Sequence, residues 1–168
     1  TSYSLLTFSA FETAFGTDFG LSKSPGFVES ARFIKMLAGP SGLYFNYFDA
    51  DNIADNGLEN QELLSWFAAK TDNSIYYNPD QLKKALDTAS TSGINPSKFN
   101  GAALAWLIHA KRSHSTPLPL SWKGDGINPV IIFKSAPGDS SRFFLGAKGG
   151  RAKLSHGNMD AGSLVFDL

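Results

Sequence analysis

Residues 113–119, Ser113-His114-Ser115-Thr116-Pro117-Leu118-Pro119, divide the chain into two textures. The Ser, Thr and Pro content reads as a linker, since Pro removes a backbone donor and pushes its predecessor towards extended geometry. Before this stretch, apolar residues recur with helical spacing. After it, short β-type runs alternate with Gly-containing turns. A run of helices followed by a run of strands predicts two domains rather than an alternating α/β sheet. The expected organisation is a helical portion over residues 1–112, a linker over 113–119 and a strand-rich portion over 120–168.

Upstream of the linker, Leu5, Phe8, Phe11 and Phe15 recur three and four apart, with Gly16 as C-cap. Ser24-Pro25 opens a second helix through Phe27, Ala31, Ile34 and Leu37, stopped by Gly39-Pro40. An aromatic-rich loop, 39–57, carries Tyr44, Phe45, Tyr47 and Phe48. Further helices are expected from Asn60, from Asn78-Pro79 and over Gly101–Ala110. Downstream, strands are expected at Leu120–Lys123, Val130–Lys134, Phe143–Ala147 and Leu164–Leu168. About fifty residues are too few for a closed sandwich. The chain opens inside an apolar-periodic helix and closes on a strand, so the expectation is a piece of a longer protein. Its open strand edge and unpaired helical faces predict self-association.

The 168 residues hold 15 basic and 15 acidic side chains, a balance that argues against nucleic-acid or anionic-membrane binding, which needs a basic face. No apolar run approaches the ~18 residues of a membrane span. The absence of Cys excludes disulfides and thiolate metal sites.

Three histidines narrow the search for chemistry. His109 sits near the basic residues Lys111 and Arg112 at a helix end and reads as a dipole partner. His114 reads as a solvated linker residue. His156 stands in a polar, Gly-rich segment, Gly149 to Ser163, that leads into an apolar strand. His156, Asn158 and Asp160 alternate, so extended geometry puts all three on one side. Together they offer an imidazole, an amide and a carboxylate, suited to a carboxylate-bearing substrate or to part of a metal shell. The same residues equally fit a turn in which Asp160 and Ser163 bond the backbone. In the 39–57 loop, Asn46, Tyr47 and Asp49 suit sugar hydroxyls and ring faces, while aromatics at that density also serve as core anchors.

Three segments together resemble the heparinase II/III family of polysaccharide lyases. They are Phe11 to Leu21 with Ser24-Pro25-Gly26-Phe27; Gly39-Pro40-Ser41-Gly42 running into Phe45 to Asp49; and Ala147-Lys148-Gly149-Gly150 followed by Ser155-His156-Gly157-Asn158-Met159-Asp160-Ala161-Gly162-Ser163. The third is the most specific, similar to the family's S-H-x-H-x-D-x-G-S segment. The resemblance implies the C-terminal part of an (α/α) toroid followed by the first strands of an antiparallel β-sandwich, with the active site between them. It implies β-elimination on acidic, uronic-acid-containing polysaccharide or oligosaccharide, in a secreted or periplasmic protein. His156 matches the motif's first His and is expected to transfer a proton or contact the carboxylate. Tyr3 is the expected base near the chain start. Asn46, Tyr47, Asp49, Asn158 and Asp160 are the expected substrate contacts. Asn158 stands where relatives carry a second His often associated with zinc. An amide is a poor zinc ligand, so no cofactor is assigned.

Two rival expectations remain. One is a non-catalytic carbohydrate-binding or scaffold relative, in which Asn158 marks lost chemistry. The other is an (α/α)-toroid glycoside hydrolase using paired carboxylates, for which Asp49 and Asp51 are the donors.

Overall fold

The structure, a computed structural model, describes residues 2–47, 58–80, 82, 83, 87, 101–109, 114–151 and 161–168. Its elements are α1 (Ser2–Phe15), a 3-10 turn (Leu21–Lys23), α2 (Ser30–Met36), α3 (Leu58–Thr71), a second 3-10 turn (Ser74–Tyr76) and α4 (Gly101–His109). Four strands follow: β1 (Ser121–Gly124), β2 (Val130–Lys134), β3 (Phe144–Lys148) and β4 (Leu164–Asp167). Residues 79, 80, 82, 83 and 87 are also helical. Asn78 opens that stretch, its Oδ1 accepting the Asp80 amide at 3.0 Å. The strands form one antiparallel sheet in the order β1-β2-β3-β4. Helices followed by an antiparallel sheet is the order that the change of texture at residues 113–119 predicts.

Several boundaries differ from the expected ones. The helix expected from Ser24-Pro25 begins only at Ser30. Residues 24–29 are hydrogen-bonded turns, with Gly26 at φ 79° interrupting the helical path. The 113–119 stretch is not free of the helices. The Ser74 amide donates to His114 O at 2.9 Å, and Asn73 Oδ1 accepts the Thr116 amide at 3.1 Å.

Contacts divide the chain into two compact units, Thr1–Ala31 with Asn56–Pro117, and Arg32–Asp55 with Leu118–Leu168. In the first unit, Leu5, Leu63, Leu64, Phe67 and Ala68 are buried. Phe27 lies 5.8 Å from Phe67 and 6.1 Å from Trp66, and Phe8 packs edge-on to Phe27 at 5.1 Å. Ser9 Oγ accepts both the Trp66 and Trp106 indole N–H groups, at 3.2 and 2.9 Å, tying α1 to α3 and α4. Buried indoles need such an acceptor, because an unpaired N–H costs about 1–3 kcal/mol. Asp18 is buried, with its carboxylate accepting the Gly20 and Ser22 amides. Lys70 of α3 bridges Asp18 and Glu12.

The second unit is built on one face of the sheet. Val130, Ile132 and Phe144 alternate inward and form a buried cluster with Met36 and Phe45. Phe33, Leu37, Trp122 and Val165 pack around it. Residues 32–47, expected within the helical portion, therefore supply about half of the sheet's core. Period-2 alternation puts the even-numbered residues of β2 and β3 on this inner face and the odd-numbered ones on the other. Among the described residues, no helix is long and apolar enough to cross a membrane.

Candidate functional site

Two sequence segments singled out for chemistry, 39–47 and 147–163, lie 100 residues apart in the chain and belong to one compact unit. The loop after α2 is attached to the inner face of the sheet at three points. Its own backbone is closed by Gly39 N–H to Leu43 O at 2.9 Å and Phe45 N–H to Leu37 O at 2.9 Å. Phe45 then seats its ring on Gly146 of β3. A Cβ at that glycine would come within 2.6 Å of Phe45 Cδ1, so only glycine admits the ring. Lys134 of β2 donates to Ala38 O at 2.7 Å. Asp167 of β4 accepts both the Ser41 amide and the Ser41 hydroxyl, at 3.1 and 2.7 Å. Its carboxylate also occupies the space that a side chain at Gly39 would need.

This arrangement fixes Asn46 and Tyr47 just beyond an anchored residue. Asn46 is exposed, while Tyr47 is half-buried, with its ring 5.2 Å from Phe45. Burial raises the Tyr47 pKa, keeping its hydroxyl protonated and able to donate. Of the two roles open to the loop aromatics, Phe45 takes the core anchor and Tyr47 packs beside it. Burial lowers the pKa of Lys134, and burial together with the charge of Lys134 lowers that of Lys35.

The other segment is the β3–β4 connection, and its two ends are held together. The Lys148 amide donates to Ser163 O at 3.0 Å, the Gly162 amide to Lys148 O at 2.7 Å, and the Gly149 amide to Pro129 O at 2.9 Å. Lys148 itself is only 2% exposed on the inner face. Lys148 stands in the third of the resembling segments, where the sequence assigns it no role of its own. Its signal was available, since an inward Lys in the β3 alternation is rarely buried without reason. Among the described residues of this unit, Trp122 Nε1 and Asn128 Oδ1 are buried with no hydrogen-bond partner. Asn128 abuts Gly150, and Trp122 Nε1 points towards Gly124, which shares a cross-strand row with Val130 and Lys148.

His156, Asn158, Asp160 and Asp49 lie outside the described residues. Tyr3 belongs to the first unit, on α1, and is 85% exposed. That unit has a groove of about 820 Å³ among α1, α3 and α4, bordered by Ser9, Glu12, Lys70 and His109 but not by Tyr3. His114 is exposed, with Nδ1 3.9 Å from Asp72 Oδ2. Among the described residues, no three His, Asp or Glu side chains converge as metal ligands. Neither the protein-family models nor the curated protein sequences compared with this chain give a match.

Proposed function

We propose that the chain is part of a heparinase II/III-like polysaccharide lyase, spanning the end of an (α/α) toroid and the start of a β-sandwich. It acts outside the cytoplasm, secreted or periplasmic, on uronic-acid-containing polysaccharide by β-elimination. One observation carries this reading. The aromatic loop 39–47 and the two ends of the connection bearing the Ser-His-x-Asn-x-Asp motif are built into the same small sheet unit. A rigid sheet holding two polar loops is how folds commonly mount a site.

The elimination needs the uronate carboxylate neutralised, a base to take the C5 proton and an acid to protonate the departing C4 oxygen as the C4–C5 double bond forms. In this reading His156 moves a proton or contacts the carboxylate, and Tyr3 is the phenolic base. Asn158 and Asp160 contact the substrate beside His156, while Asn46, Tyr47 and Asp49 hold sugar hydroxyls and ring faces. Asn158 is a weak donor for zinc, so no metal is assigned to this position.

The test is ultraviolet absorbance of unsaturated uronate product on glycosaminoglycans and alginate. The expected result is turnover that His156→Ala reduces at least ~100-fold, as for a lost acid–base group. No product with any uronate polymer overturns the proposal. A second reading is favoured by Asn158 standing where relatives have His: a relative that binds sugar without cleaving it. Saccharide binding that Tyr47→Ala weakens and His156→Ala leaves intact, with no product formed, selects this alternative.

A further inference from the structure

Two half-buried lysines meet at one end of the sheet's inner face. Lys134, Phe144 and Asp167 form a cross-strand row there through the register Lys134↔Phe144↔Asp167. Lys134 Nζ donates to Ala38 O at 2.7 Å and lies 6.0 Å from the centre of the Phe144 ring. Ala38 comes three residues after Lys35, which stands in the last turn of α2. Lys35 and Lys134 are both half-buried, and the charge of Lys134 reaches Lys35 strongly enough to lower its pKa. The acid of the row, Asp167, is turned to the Ser41 amide and hydroxyl. Among the described residues, neither lysine is in a salt bridge. Two ammonium groups gathered out of water repel each other, and desolvation disfavours each charge. One anion placed between them relieves both effects.

The pair is continuous with the aromatic loop. The Phe144 ring beside Lys134 lies 6.4 Å from Phe45, and Phe45 lies 5.2 Å from Tyr47. Asn46, between these two in sequence, is exposed. All of these residues belong to the second unit, so the arrangement does not depend on how the two units meet. We infer that Lys35 and Lys134 form an anion subsite that takes one carboxylate of an acidic saccharide, with an adjoining sugar ring at Tyr47. Each ammonium offers three N–H donors to the carboxylate oxygens, and such charge-assisted hydrogen bonds are about twice as strong as neutral ones. The inference rests on the reading of a uronate substrate, names the group by which that substrate is held, and gives neither lysine a step in the elimination.

Titration calorimetry on the 168-residue chain tests it, with saturated hyaluronan and alginate hexasaccharides and their carboxyl-reduced, neutral counterparts as probes. The expected result is binding of at least one acidic hexasaccharide that Lys35→Met and, separately, Lys134→Met each weaken about 10-fold or more, the loss of one charge-assisted hydrogen bond. Met keeps an unbranched apolar stem, and an unchanged far-ultraviolet circular dichroism spectrum verifies the fold. Weak binding of the neutral counterpart is expected to stay the same in both variants, which a merely structural role of the lysines would not give. Lys23→Met, in the first unit, is the control and leaves binding unchanged. The inference is overturned by acidic binding that survives both substitutions, by equal weakening of acidic and neutral probes, or by no binding of either acidic hexasaccharide. Unsaturated product is followed by absorbance in the same samples. Lysine-dependent binding without product removes the cleavage and leaves the subsite, whereas product formed equally well by both Met variants, with unchanged KM, removes the subsite and leaves the cleavage.

Discussion

A carboxylate that accepts hydrogen bonds from Ser22, Gly20 and Lys70 contributes most when it is ionised. Asp18 is in that position. The Ser22 hydroxyl first, then the Gly20 amide and Lys70, hold its pKa well below the ordinary 3.8, against the opposing effect of burial. The folded state thus binds fewer protons than the unfolded chain around that pH. The contribution is complete above about pH 4 and lost as the pH falls further. Asp18→Asn is accordingly expected to destabilise the chain at neutral pH, with the difference from wild type shrinking as acid is added. Urea unfolding across a pH series reads this directly. Lys70 has the opposite sign: Glu12 and Asp18 outweigh desolvation and raise its pKa, so its contribution fades only in strong base.

At the scale of elements, the sheet and the loop on it depend on one missing side chain. Gly146 lies in the inner row of β3, where a methyl group would press into the Phe45 ring. Gly146→Ala is expected to lower stability by about 1–3 kcal/mol through overpacking. Thermal unfolding measures the loss, and Phe45→Leu in the same background should recover part of it by making room. Much at this scale is legible in sequence. The spacing of Leu5, Phe8, Phe11 and Phe15 predicts α1, and Val130–Lys134 predicts β2 residue for residue. The late start of α2 is less legible. Ser24-Pro25 is a sound helix opening by local rules, yet Gly26 takes a positive φ and delays the helix to Ser30. The docking of Phe45 on Gly146 leaves no local signature, because neither residue's neighbours specify a contact 101 positions away.

For the whole molecule, the second unit is discontinuous in sequence: Arg32–Asp55 packs with Leu118–Leu168. Cutting the chain within residues 113–119 therefore does not release a self-sufficient sheet. Residues 118–168 alone lack Phe33, Met36 and Phe45 and expose the inner row Val130, Ile132 and Phe144. That fragment is expected to give a collapsed, poorly dispersed amide NMR spectrum. Adding a peptide of residues 32–47 should restore dispersion, whereas a well-dispersed spectrum from the fragment alone would falsify the shared core.

The sequence by itself determined the order of helices and strands, most element positions and the residue types able to do chemistry. Those follow from periodicity, caps and turn residues, which act over a few positions along the chain. Only the tertiary structure decided that residues 32–47 join the sheet, that Asp167 holds Ser41 and that Lys148 is buried. Each depends on residues far apart in the chain meeting at close-packed surfaces. Such a match of shape and hydrogen bonding has no expression in local spacing.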